Sequence, residues 1–173
     1  MEAAHARQQR RQFLRGDWSG KRLAVRPPWA VAEAQFTERC SRCDACRTAC
    51  PERLIVSASG GFPAVDFSRG GCDLCGACAR ACTSKALVAD APGTPRPWRH
   101  RVVVLDNCLA LHGVVCRTCG DFCDADAIRF QRQLGGCAQP LVSAAACTGC
   151  GSCLAPCPVQ ALALRFPPEE DGR

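Results

Sequence analysis

Short apolar runs recur along the chain, each only two to four residues long and each bounded by glycine, proline, cysteine or charge. Three of them, at 65–67, 102–105 and 141–142, lead into a loop of small and polar residues. Four others, at 54–56, 87–88, 128–130 and 162–164, follow such a loop. Runs this short, rich in Val, Ile and Leu, predict strands rather than helices. Between each loop and the run after it there is room only for a short helix. It is expected to begin near the loop's last cysteine, with Pro51 and Pro158 at the helix start, where a missing N–H costs little. The unit is strand–loop–helix–strand, paired twice, so the pattern predicts an α+β chain.

The flanks are different. Residues 1–39 hold no cysteine and carry eight Lys/Arg against four Asp/Glu. They predict a basic arm: a polar helix around 3–15, then a loop broken by Gly16, Gly20, Pro27 and Pro28. Phe13, Leu14, Trp18 and Trp29 stand among its arginines, and exposed aromatic groups beside arginine are common ingredients of docking surfaces. The stretch RRQFLRG at 10–16 resembles a twin-arginine export signal, but the apolar run such a signal needs is interrupted by Asp17, Lys21, Arg22 and Arg26. Export is therefore not expected. A Pro-rich linker is predicted at 91–100 and a polar tail at 167–173, leaving 40–90 and 101–166 as the two strand–loop–helix–strand pairs.

The loops carry the chemistry. The first holds Cys40, Cys43, Cys46 and Cys50, then Pro51. The second holds Cys72, Cys75, Cys78 and Cys82, a constant offset of 32 from the first. The third is irregular, with seven residues between Cys108 and Cys116, then Cys119 and Cys123. The fourth holds Cys147, Cys150, Cys153 and Cys157, then Pro158. These account for 16 of 17 cysteines. The spacing C-x2-C-x2-C-x3-C-P is the run with which bacterial ferredoxins hold [4Fe–4S] clusters, the fourth thiolate serving the other cluster of a pair. The expected architecture is thus two tandem bacterial-ferredoxin-like (βαβ)2 domains with four clusters. If the sharing holds, Cys40, Cys43 and Cys46 combine with Cys82, and Cys72, Cys75 and Cys78 with Cys50. Likewise Cys108, Cys116 and Cys119 combine with Cys157, and Cys147, Cys150 and Cys153 with Cys123. Small residues such as Ala45, Gly76, Gly149 and Gly151 are expected to let backbone approach each cluster.

Other uses of cysteine fit less well. Disulfide frameworks belong to oxidising compartments and even counts, and no signal peptide is visible. Zinc sites draw on two separated pairs, whereas here four cysteines fall within eleven residues. The formal net charge of +6 does not point to nucleic acid, because each oxidised cluster with its thiolates contributes about −2 and four reverse the sign. No apolar stretch approaches the ~20 residues that span a membrane. There is no nucleotide-binding glycine pattern and no nucleophile–base set, so no enzyme is expected. Two readings of the third site stay open: a loop insertion that returns Cys108 to the cluster, or a labile or three-iron site. His112, inside that insertion, is expected to be solvated, and Cys137 to be a half-buried thiol outside the sets.

Taken with RPPW at 26–29, GGFPAVDF at 60–67 and the irregular CLALHGVVCRTCGDFC at 108–123, the sequence resembles the NapF family along nearly its whole length. These are ferredoxin-type accessory proteins of periplasmic nitrate reductase systems. The resemblance implies a cytoplasmic protein that binds the catalytic subunit of periplasmic nitrate reductase before export and helps mature its iron–sulfur cluster. A polyferredoxin electron carrier, or an electron-transfer subunit of an anaerobic redox complex, is the competing expectation.

Overall fold

The computed structural model describes residues 25–89, 97–134 and 136–166. Three two-stranded antiparallel sheets organise them. β1 (Ile55–Ser57) pairs with β2 (Pro63–Val65), Ile55 facing Val65. β4 (Ile128–Gln131) pairs with β5 (Gln139–Val142), and β3 (Arg101–Val104) with β6 (Leu162–Arg165). The second half therefore has an inner hairpin, β4–β5, and an outer pair, β3–β6, that joins its beginning to its end. The first half repeats the plan with the outer pair reduced to one bridge between Ala30 and Leu87. Val31 N–H to the Ala86 carbonyl (3.1 Å) and Val88 N–H to the Trp29 carbonyl (2.9 Å) back that bridge. The strands fall within one or two residues of the apolar runs that predict them.

The helices are short: α1 (Glu33–Arg39), α2 (Ala45–Thr48), α3 (Ala77–Arg80) and α4 (Thr118–Asp121). α1 places Glu33 in its first turn and Arg39 in its last, both favourable to the helix dipole. The expected helix after the fourth cysteine is not there. α2, α3 and α4 lie before it, and Pro51 sits second in a four-residue turn closed by Arg53 N–H to the Cys50 carbonyl, 3.2 Å. Proline's fixed φ suits that turn position as well as it suits a helix start.

This turn occurs four times. Arg53, Lys85, Asp126 and Gln160 each stand three residues after a fourth cysteine, each with φ between 48° and 55°. Each returns its N–H to that cysteine's carbonyl, at 2.9–3.3 Å. The next residue is buried every time: Leu54, Ala86, Ala127 and Ala161, none more than 3% exposed. Thr83 and Asp124 replace proline in two copies without altering the turn.

Two small cores result. One gathers Phe36, Ile55, Cys78, Ala79, Ala86 and Leu87; the other Val102, Ala127, Ile128, Cys147 and Cys153. Residues 25–39, read from composition as part of a free arm, are packed on the first. Phe36 is fully buried, and Trp29 is half-buried against that core rather than an exposed anchor. Arg26 lies over the rings of Phe36 (4.8 Å) and Phe62 (5.4 Å) and bonds both oxygens of Glu33 and the Pro63 carbonyl. Phe13, Leu14, Trp18, the helix expected at 3–15 and the tail lie outside the described residues. Phe36→Ala should cost about 3–5 kcal/mol, as for a fully buried aromatic. The measurement is denaturant unfolding of the iron-loaded protein.

The halves also touch each other. Trp98 and His100, at the end of the segment expected to be linker, are 7% and 0% exposed. Trp98 Nε1–H donates to the Arg26 carbonyl (2.9 Å), and Trp29 N–H to the Pro97 carbonyl (2.9 Å). The RPPW segment is thus a clasp between the halves.

Candidate metal centre

In three of the four loops the backbone takes the same curl. The residues on either side of the second cysteine both have positive φ: Arg42 and Asp44, Leu74 and Gly76, Gly149 and Gly151. A left-handed conformation costs a non-glycine residue about 1–2 kcal/mol, so Arg42, Asp44 and Leu74 hold strain of the kind kept at functional sites. Successive N–H groups in such turns face a common concavity that suits an anionic group. The third loop departs from this. The matching positions are Val115 and Arg117; Arg117 has φ −130°, and Val115 is not in the left-handed region.

The third loop still closes on its site. Residues Leu109–His112 form a 3-10 turn ended by Gly113, with Leu111 N–H on the Cys108 carbonyl (3.0 Å) and Val114 N–H on the Leu109 carbonyl (3.0 Å). The turn absorbs the extra length and sends Cys108 back. Cys108, Cys116, Cys119 and Cys157 then line one cavity, enclosing about 340 Å³ of space partly open to solvent. A second such cavity, of about 360 Å³, is lined by Cys50, Cys72, Cys75 and Cys78 beside Trp29 and Trp98. Each joins three cysteines of one loop with the fourth cysteine of its partner loop.

Cysteines of the other two loops also influence one another across loop boundaries. Burial first, then the charges of Cys40 and Cys82, push the Cys46 thiol up to about 11. Burial first, then Cys150, Cys123, Cys147 and Cys119, push Cys153 up to about 12. Burial likewise raises Cys78 to about 12, and Cys72 and Cys119 to about 11. Such thiols stay protonated at neutral pH unless a cationic centre offsets the buried charge, which is what iron supplies. Among the described residues, no three His, Cys, Asp or Glu side chains close on a point as a single ion requires. The cysteines instead stand around larger spaces, which suits a multinuclear centre better than mononuclear zinc.

Hydrogen bonds reach the sulfurs as well. Leu74, Ala127 and Ala161 N–H groups donate to Sγ of Cys72, Cys123 and Cys157, at 3.2–3.4 Å. Hydroxyls of Ser84, Thr118 and Ser152 lie 3.5–3.7 Å from Sγ of Cys82, Cys116 and Cys150. Bonds to sulfur are among the levers that set a cluster's potential. These hydroxyls escape a reading of cysteine spacing alone, although a Ser or Thr two residues after a cysteine is a visible signal. His112 turns away, its ring nitrogen on the Asp106 carbonyl (2.7 Å). The Cys137 thiol donates to the Gly113 carbonyl (2.9 Å), tethering the insertion. Gly149 and Gly151 are also tight against protein: a Cβ on Gly151 would run into the Phe67 ring, and one on Gly149 would meet His100.

Curled cysteine loops, spaces lined by cysteines of paired loops and small paired sheets make this a ferredoxin-type protein. Across 165 residues the chain is 46% identical to the ferredoxin-type protein NapF of Haemophilus influenzae, covering 90% of the chain and 92% of the relative. It is 39% identical over 157 residues to the Escherichia coli K12 protein of the same name, covering 91% and 94%. A methylamine utilization ferredoxin-type protein, MauM of Methylophilus methylotrophus, is 31% identical over 163 residues, covering 86% of the chain and 72% of the relative. No family model matches the chain. The chain belongs to the NapF family of ferredoxin-type proteins. Among the described residues no helix is long and apolar enough to cross a membrane.

Proposed function

We propose that the chain is a cytoplasmic iron–sulfur accessory protein that assists maturation of the catalytic subunit of periplasmic nitrate reductase before its export. Its two halves are bacterial-ferredoxin-like (βαβ)2 domains, and the sixteen cysteines outside Cys137 hold four [4Fe–4S] clusters in the shared sets given above. The second half closes around its sets with the outer pair β3–β6, and the first with the Ala30–Leu87 bridge. When bound, the clusters supply one-electron chemistry or an iron–sulfur source. The protein supplies thiolates, backbone N–H and side-chain hydroxyl donors to sulfur, and shelter from water. It performs no catalysis of its own. The observation that carries the reading is identity to NapF proteins over nine-tenths of the chain, a span that reaches beyond the cysteine loops.

A second reading, a polyferredoxin electron carrier, is favoured by one feature: backbone from the second and fourth cysteine loops meets directly, with Cys72 N–H on the Cys150 carbonyl at 2.9 Å. The two readings part on which form of the reductase subunit is captured. In an anaerobic pull-down the loaded protein should retain about 16 iron and capture the immature subunit, not the mature one. Deleting residues 2–24, which leaves the packed 25–39 intact, should keep the iron and abolish capture. Capture of the mature subunit alone supports the carrier. Unchanged capture after the deletion removes the arm from recognition, and iron near 12 in the full chain removes the Cys108 site.

A further inference from the structure

Two cysteine loops from different halves share a backbone contact. Cys72 N–H donates to the Cys150 carbonyl (2.9 Å). Gly71, just before it, lies so close to the other loop that an added Cβ would overlap Ser152 Oγ and stand 2.5 Å from Ser152 Cα and N. No left-handed φ explains this glycine, so close approach does. Around the contact, Phe67 meets Trp98 edge-on at 5.7 Å, and Trp98 lies 5.1 Å from His100. His100 is fully buried, and its Nε2–H donates to the Gly149 carbonyl at 2.9 Å. Phe67 also fills the space beside Gly151. Phe67, Trp98 and His100 are buried on that side, and the half-exposed Phe166 packs on His100 (5.6 Å).

Within each half the loops meet differently. α2, bearing Cys46, packs on α3, bearing Cys78, and both belong to the first core. Cys119 packs against the second core beside Cys153. The contacts therefore run from the first set to the second inside one half, from the second to the fourth across the junction, and from the fourth to the third inside the other half.

Resting on the four-cluster reading above, we propose that electrons cross between the halves at the junction of Gly71 and Cys72 with Cys150 and Ser152. The four sites then form a line in the order first, second, fourth, third, not the order of the sequence. Each crossing moves one electron: the donor cluster is oxidised by one, the acceptor is reduced by one, and no bond or proton moves. The third site, with its insertion, is one end of the line. The first, beside α1, is the other.

The test is magnetic. Neighbouring reduced clusters broaden each other's EPR signals, whereas an isolated one gives a narrow signal. The full chain is loaded anaerobically and reduced with dithionite. Cys75→Ala removes the second site and should leave about 12 iron, with the first site isolated and narrow. Cys43→Ala removes the first site, also to about 12 iron, and should give no narrow signal, because the second site still faces the fourth. Adding Gly71→Val to Cys43→Ala should isolate the second site and bring the narrow signal back. Gly71→Val alone, at about 16 iron, should lose part of the broadening without loss of any site, a readout that needs no missing ligand. A narrow signal in Cys43→Ala, or broadening unmoved by Gly71→Val at full iron, overturns the junction alone. Wild-type iron near 8 overturns the four-cluster reading and the junction with it.

Discussion

Stripping iron from the loaded protein should erase most of its ordered structure. Each sheet has two strands of three or four residues, and an isolated two-stranded pair is marginal in water. The apolar cores cannot compensate. Of six buried residues in the first core only Phe36, Ile55 and Leu87 are large, and in the second only Val102 and Ile128. Cysteines fill the remaining space, with Cys78, Cys147 and Cys153 fully inside. In the proposed iron-loaded state these thiolates are ligands. Without iron they are buried thiols with no metal–sulfur bond holding their loops together. Binding free energy is therefore folding free energy. Circular dichroism before and after anaerobic chelation measures it. Loss of most of the strand and helix signal, with no sharp thermal transition left, is the expected result. A cooperative transition in the iron-free chain would mean the clasp and the aromatic junction hold the fold by themselves.

The second large effect concerns which cluster a cysteine serves. Cys82→Ala should destroy the site built on Cys40, Cys43 and Cys46, although Cys82 belongs to the other loop. Cys50→Ala should destroy the site built on Cys72, Cys75 and Cys78. Each variant should lose about four of 16 iron atoms. The cavity joining Cys50 to Cys72, Cys75 and Cys78 motivates the second, and the field of Cys82 at Cys46 the first. Potentiometric titration followed by EPR tells the two sites apart. Loss of the Cys72-based site in Cys82→Ala, with the Cys40-based site intact, contradicts the sharing.

Much of the secondary structure was legible because it is local. The apolar runs at 102–105 and 128–130 sit within a residue or two of β3 and β4, since a short Val/Ile run beside a turn has few alternatives to a strand. The cysteine loops were legible through spacing, and the return of Cys108 to its set was one of two open readings. Three features were not. Pro51 fits a turn and a helix start equally well, and only the left-handed Arg53 decides between them. Trp29 and Arg26 read as an exposed basic arm because composition does not reveal that Phe36 needs covering. Gly71 was overlooked because its reason lies 81 residues away, at Ser152, and distance along the chain hides contacts between halves.

The pairing of Ala30 with Leu87 sets an order in time. A ribosome releases residue 30 about 57 residues before residue 87, roughly 3–11 s earlier at bacterial elongation rates. Within that interval Cys40, Cys43, Cys46 and Cys50 emerge early, while Cys82, which the proposed sharing assigns to the Cys40 set, emerges only near its end. The chain cannot finish its earliest site first. On the proposed sharing the set of Cys50, Cys72, Cys75 and Cys78 is complete before Cys82 emerges; the Ala30–Leu87 bridge closes the first half next, and the clasp at Pro97 and Trp98 follows as synthesis passes toward the second half.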